Sequence, residues 1–238
     1  MMQDAPPGRF ARSSLGEQVI DHLTEMITSG TWPAGAYIPT ESELAQELGV
    51  SRTVVRECVR VLASRGMLSV RQGRGTTVAP ASRWNIAEPL ALLVKADRTD
   101  LLRWLEVRTI LEVESAALAA QRLTPDDAAA LREALERVLA SADADTYREA
   151  DIHLHLTIAR ATQNPALLRL LHPLVQPLRE QLQSTAIVAE NRRDATLEHE
   201  AIVSCILAQD APGARLAMRK HLDRVADEIA QVMRQESW

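Results

Sequence analysis

Ser51-Arg52-Thr53-Val54-Val55-Arg56-Glu57-Cys58-Val59-Arg60 is the stretch on which the reading of the fold turns. Ser51 is a helix N-cap candidate, because its hydroxyl can accept a backbone N–H from the first turn. Val54, Val55, Cys58, Val59 and Leu62 follow at helical spacing and form an apolar stripe. Arg52, Arg56 and Arg60 recur every four residues along another face. The helix runs to about Arg65, and Gly66 stops it. Upstream, Thr40 and Glu43 make a Thr-x-x-Glu capping box that opens a short helix ending near Leu48, with Gly49 as its C-cap. Earlier still, Leu15 to Ile27 fits one helical face, and Gly30, Pro33 and Gly35 end it. Downstream, Met67–Val70 and Thr76–Ala79 read as short strands around the Gly-rich tip Arg71-Gln72-Gly73-Arg74-Gly75. Helix, short helix, helix and hairpin is the order of a winged helix-turn-helix.

A helix that enters a major groove presents donors from its N-terminal part. Ser51, Arg52, Thr53 and Arg56 supply them here, and a guanidinium matches the O6 and N7 of guanine. Glycines at the hairpin tip allow a backbone to approach a duplex, with Arg74 placed to enter the minor groove. The competing reading of the arginines alone is a solvated basic face. The surrounding capped helix and Gly-Arg-Gly hairpin favour the first reading. Charge distribution points the same way. The chain carries a net charge of -5, which argues against a wholly basic nucleic-acid binder, yet residues 51–75 hold six Arg against the single acid Glu57.

The rest of the chain reads as helix. Aromatic residues are only 3% while Ala and Leu abound, which favours helix over sheet. Residues 1–13 read as a disordered tail, 14–80 as the winged unit, 81–85 as a linker and 86–238 as a helical unit. Its helices fall at roughly 86–95, 100–121, 125–141, 145–161, 166–189, 194–208 and 211–235. Thr124-Pro125 and Asn164-Pro165 pair an N-cap with Pro at the first helical position. Pro173 and Pro177 are expected to kink their helix. A seven-helix bundle suits this pattern, so the fold class is mostly α.

No apolar run approaches the ~20 residues of a bilayer span, and no secretion signal opens the sequence. Cys58 and Cys205 lie far apart, in no metal-like spacing, as small residues do in a reducing cytosol. A cytoplasmic protein is expected.

Five of the six histidines lie in the second half. Asp151 and His155 share a face at i, i+4, whereas His153 points elsewhere. His199 follows Glu198, and His221 sits in Met218-x-x-His221. Carboxylate and imidazole ligands on three helices can converge inside a bundle, and such a set suits Zn²⁺, Ni²⁺ or a similar divalent ion. Each histidine taken singly also reads as an ordinary core or surface residue.

The stretch from Val19 to Val78 resembles the DNA-binding domain of the GntR family of bacterial regulators. The residues that carry this are Pro33-x-Gly35, Ile38-Pro39, Glu43-Leu44-Ala45, Leu48-Gly49-Val50-Ser51-Arg52, Val55-Arg56-Glu57, Gly66-Met67-Leu68 and Gly73-x-Gly75. Ser42 stands where the family often has Arg, and Cys58 where a small Ala is usual. Residues 86–232 resemble the FadR-type, or FCD, ligand-binding domain, through Glu106-Val107-Arg108, Leu111-Glu112, Asp151-x-x-x-His155, Asn164-Pro165, Glu198-His199 and Met218-x-x-His221. Gln163 stands where Gly is usual.

The resemblance implies DNA contacts by Arg52, Thr53 and Arg56 with Gly73 to Gly75 as the wing tip, and with the residue reading the expected DNA-contacting set is Thr40, Ser51, Arg52, Thr53, Arg56, Gly73, Arg74 and Gly75. It implies a divalent ion, Zn²⁺ first and Ni²⁺ or Mn²⁺ as alternatives, on Asp151, His155, His199 and His221. It also implies Arg108 as the partner of a carboxylate-bearing effector, against the simpler reading of an i+4 salt bridge to Glu112. The expected protein is a homodimeric repressor on operator DNA that senses a small organic or sugar acid at the metal. One alternative is a regulator for which the ion itself is the signal. Another, an enzyme with a His₃Asp centre, lacks an evident general base and leaves the winged unit unexplained.

Overall fold

The computed structural model describes residues 14–96, 101–182 and 192–235. The tail expected over 1–13 lies outside these, as do residues 183–189 of the helix expected over 166–189. The chain divides into two compact units, the first ending at Asn85 and the second beginning at Ile86.

The first unit opens with α1 (Leu15–Thr28), α2 (Glu41–Leu48) and α3 (Arg52–Ser64). Each start is chemically marked. Ser14 with Glu17 and Thr40 with Glu43 form reciprocal capping boxes, and Ser51 Oγ accepts the Val54 N–H at 3.3 Å. Such a cap contributes about 1 kcal/mol. Gly49 ends α2 in the left-handed conformation that a side chain resists (φ 64°). The inward stripes, Val19, Leu23 and Ile27 of α1, Leu44 and Ala45 of α2 and Val55, Cys58, Val59 and Leu62 of α3, close one core with Met67, Leu68 and Val78.

Strands β1 (Leu68–Arg71) and β2 (Gly75–Val78) pair antiparallel, with Leu68 opposite Val78 and Arg71 opposite Gly75. The ladder sits one residue nearer the tip than expected, because a tight turn with Arg74 N–H on the Arg71 carbonyl draws Arg71 and Gly75 into it. Sequence reading missed a third partner. Residues 35–38 run beside β2 through Ile38 N–H to the Thr76 carbonyl and Val78 N–H to the Ala36 carbonyl.

Residues 81–85 are a short 3₁₀ turn, 81–83, followed by a segment tied to the end of α3. Asn85 N–H donates to the Arg65 carbonyl at 2.7 Å. Gly66 makes room for this contact: a Cβ there would lie 2.3 Å from the Arg83 carbonyl oxygen.

The second unit is all helix among its described residues: α4 (Ala87–Ala96), α5 (Leu101–Arg122), α6 (Pro125–Ala140), α7 (Ala144–Ala161), α8 (Pro165–Leu182), α9 (Arg192–Leu207) and α10 (Ala211–Gln235). Seven helices among the described residues agree with the bundle expected from the sequence. Thr124 caps α6 ahead of Pro125, and Asn164 Oδ1 accepts the Ala166 N–H at the start of α8. Gln163 takes φ 54°, the backbone state that explains why glycine is usual there. α8 runs unbroken through Pro173 and Pro177, so neither proline ends it. Ala116, Ala120, Leu131, Leu154, Ile158, Ile202, Ile206, Met218 and Leu222 fill the main core between α5, α6, α7, α9 and α10. Small alanines on α5 let its neighbours approach closely.

Candidate functional site

Two constellations stand apart from ordinary packing. The first is the outer face of α3 and the hairpin tip. Burying Val55, Cys58, Val59 and Leu62 turns Arg52, Thr53 and Arg56 outward, and all three are exposed. Among the described residues Arg52 and Arg56 have no ion pair, whereas Arg60 is held by Glu57 at 2.8 Å. Gly73, Arg74 and Gly75 are exposed at the tip, with both glycines at positive φ. Ser51 and Thr40 have structural duties: Ser51 caps α3, and the Thr40 hydroxyl donates to Glu43 Oε2 at 2.8 Å within its capping box.

The second constellation is buried. Asp151 and His155 on α7, His199 on α9 and His221 on α10 are 1%, 2%, 0% and 0% exposed, yet each offers a ligand atom within 4.8 Å of the others. His199 Nε2 lies 3.3 Å from Asp151 Oδ1, and His155 Nε2 lies 3.8 Å from the same oxygen. The His199 and His221 ring centres are 4.6 Å apart. The helical stripes explain the convergence. Each residue occupies an inward position of its helix, beside Leu154 and Ile158, Ile202 and Ile206, or Met218 and Val225, where an apolar side chain is the default.

Carboxylates behind the rings set their orientation. Glu112 of α5 accepts from His155 Nδ1, and Glu198 accepts from His221 Nδ1 at 3.0 Å. An ionised carboxylate only accepts, so each is placed to take the Nδ1 proton of its ring, an arrangement that turns Nε2 toward the cluster. His155 Nε2 makes no hydrogen bond among the described residues. A buried lone pair aimed at a carboxylate and two further imidazoles is the donor chemistry of a divalent-metal site, and histidine backed by carboxylate is its usual support.

Behind Glu198, Arg224 donates from Nε at 2.8 Å and also pairs with Glu228. Burial works against the Arg224 charge, but these two carboxylates outweigh it and raise its pKa. Glu112 also accepts from Arg108 Nε. Burial alone would push the Glu112 carboxyl up; Arg108 and His155 together hold it far below the usual range. Arg108 is fully buried, and its Nη1 and Nη2 have no hydrogen-bond partner among the described residues. Unmet donors in a core are costly, and a planar pair of them matches a carboxylate.

Comparison with known proteins places this geometry. Residues 15–78 match the model of the bacterial regulatory proteins of the gntR family, and residues 103–224 match the FCD domain. The chain belongs to the GntR family. A protein of Escherichia coli K12 assigned as regulator of the L-lactate dehydrogenase operon is 34% identical, over 89% of this chain and 84% of its own length. The galactonate operon transcriptional repressor of the same organism is 29% identical, over 84% of this chain and 90% of its own length. A solved Streptococcus agalactiae GntR structure superimposes with a TM-score of 0.64 at 30% identity, covering 90% of this chain and 99% of that one. This GntR protein is therefore a DNA-binding transcription regulator, and its relatives are regulators rather than enzymes. No helix among its described residues is long and apolar enough to cross a membrane.

The fold unites Asp151, His155, His199 and His221, whereas His153 lies outside the cluster. Arg108 makes the expected i+4 salt bridge to Glu112 through Nε, while its Nη1 and Nη2 have no hydrogen-bond partner among the described residues. Glu106 is exposed and belongs to neither constellation. Sequence reasoning missed Glu112 and Glu198 as the groups that orient two rings, and Arg224 behind them. A signal existed for Glu112: it sits on the α5 stripe of Leu101, Leu105, Arg108, Glu112 and Ala116, where two charges interrupt core positions.

Proposed function

We propose that this GntR regulator is a homodimeric repressor of a metabolic operon, released from its operator by a small hydroxy acid held at a divalent-metal site. The observation that carries the reading is the buried Asp151, His155, His199 and His221 cluster together with Arg108, whose Nη1 and Nη2 have no hydrogen-bond partner among the described residues. Asp151, His155, His199 and His221 would hold the ion, with Zn²⁺ first among the candidates and Ni²⁺ or Mn²⁺ next. Such an ion supplies a Lewis-acid centre that a carboxylate or hydroxyl can ligate. Arg108 would take the effector carboxylate by its Nη edge. The relatives named for lactate dehydrogenase and galactonate operons support a hydroxy or sugar acid.

Arg52, Thr53, Arg56 and Arg74, with the glycines of the tip and the caps at Ser51 and Thr40, form the proposed operator face. Pairing through the helical unit, supported by the exposed Leu92, Leu93, Val107 and Ile110, would set the spacing of two recognition helices. An effector regulates only if it binds one placement of those helices better than another.

A thermal-shift screen of zinc-loaded and chelator-stripped protein against hydroxy, keto, dicarboxylic and sugar acids tests this, because a ligand stabilises the fold it binds. One acid that stabilises only the loaded form is the expected result. Equal shifts in loaded and stripped protein would contradict docking at the metal. Stabilisation by metal alone, coupled to DNA release, would favour the ion itself as the signal.

A further inference from the structure

Glu112 has no direct part in the function proposed above, yet it touches both of that proposal's components. It lies buried on α5, with Oε1 accepting from Arg108 Nε and Oε2 accepting from His155 Nδ1. Both oxygens are committed, to donors on two different helices. Through His155 Nδ1, Glu112 fixes the ring so that Nε2 faces Asp151. Through Arg108 Nε, it holds the guanidinium by one edge while the buried Nη1 and Nη2 stay without hydrogen bonds among the described residues.

We infer that Glu112 is a positioning residue that couples the metal ligand His155 to the anion-binding Arg108, so that occupancy at either end alters the other. This rests on the metal-site reading above. An anion drawn to the Nη edge shifts a guanidinium that is tied to Glu112. The same carboxylate sets the angle of the His155 ring, so a displacement at one end reaches the other through a single side chain. Gln cannot take over. Its amide offers one acceptor oxygen and one NH₂, so one of the two donors would face another donor. Asp keeps both oxygens but is one methylene too short to span both partners.

The decisive experiment is a double-mutant cycle in zinc affinity. It uses the full chain without any acid, competed against a chromophoric chelator, with helical content checked by circular dichroism. Glu112→Gln is expected to weaken zinc binding about 10- to 100-fold, the usual cost of losing a carboxylate behind a ligating histidine. Arg108→Met is expected to weaken it severalfold although Arg108 is not among the four ligands. The double variant should bind no more weakly than Glu112→Gln alone. Additive losses, or Arg108→Met at wild-type affinity, overturn the coupling.

A second readout needs no metal. Nitrogen-15 histidine spectra of stripped wild-type protein should show His155 protonated on Nδ1, and Glu112→Gln should redistribute that proton. An unchanged pattern overturns the assignment. Should Glu112→Gln lose its helical signal, Glu112→Asp takes its place with the same expectations. A wild type that takes up no zinc overturns the metal reading and this inference together, whereas equal zinc affinity in wild type and Glu112→Gln overturns only the inference.

Discussion

Arg52 and Arg56 on α3 and Arg108 on α5 are the same residue in opposite circumstances. The first two are exposed and have no ion partner among the described residues; the third is wholly buried, with Nε on Glu112. An exposed guanidinium costs little to keep, because water solvates it until a phosphate or base edge replaces the water. A buried one costs several kcal/mol unless paired, and Glu112 meets Arg108 only at Nε, leaving Nη1 and Nη2 without hydrogen bonds among the described residues. The two units thus keep arginine charge in opposite ways: Arg52 and Arg56 stand exposed on the surface of the first, and Arg108 is admitted to the core of the second.

The largest expected effect tests the surface half. Replacing Arg52 and Arg56 by Ala should lower affinity for a specific operator fragment roughly 10- to 100-fold per arginine, read by fluorescence anisotropy. Thermal stability should stay within experimental scatter. Unchanged operator affinity would reduce the α3 face to a solvated patch and dissolve the comparison. The buried half should behave in the reverse manner. Arg108→Met should cost about 3–5 kcal/mol in urea unfolding, since Glu112 is left charged with one partner fewer, while intrinsic operator affinity stays near wild type. Equal costs for Arg52→Met and Arg108→Met would remove the contrast.

A third change separates the proposed operator face from its frame. Gly66→Ala forces a Cβ to within 2.3 Å of the Arg83 carbonyl at a backbone φ of 71°. Thermal unfolding should show a loss larger than the ~1 kcal/mol that a compatible glycine-to-alanine change gains, and limited proteolysis should cut near residues 81–85. Wild-type stability would mean that the segment does not hold to α3. The smallest effect is Ser51→Ala, which removes the cap on Val54 N–H and should cost about 1 kcal/mol of stability. A much larger loss of operator binding than of stability would show that Ser51 also touches DNA.

Most of this architecture was legible in the sequence because its boundaries are chemically marked. Ser51, Thr40 with Glu43, Thr124-Pro125 and Gly49 each fix an end of a helix by a hydrogen bond or a backbone state that local sequence dictates. The pairing of residues 35–38 with β2 was not legible, because it depends on a contact about forty residues distant that has no local signature. The buried Asp/His cluster lay in between. Asp151 and His155 share a face by periodicity alone, but their meeting with His199 and His221 was supplied by family resemblance. For Glu112 the sequence shows an i+4 neighbour of Arg108 and a place in the Leu111-Glu112 motif. Its second bond, to His155, crosses from α5 to α7 and exists only once the helices pack.

The most direct test of the central claim is the zinc content of the dialysed full chain, counted per chain by mass spectrometry of the metal. One ion per chain in the wild type and in His153→Ala, and none retained in His199→Ala, is the predicted result. A wild type that emerges without metal, or a His199→Ala variant that keeps its ion at wild-type affinity, would contradict the claim that the buried Asp151, His155, His199 and His221 cluster is a metal site.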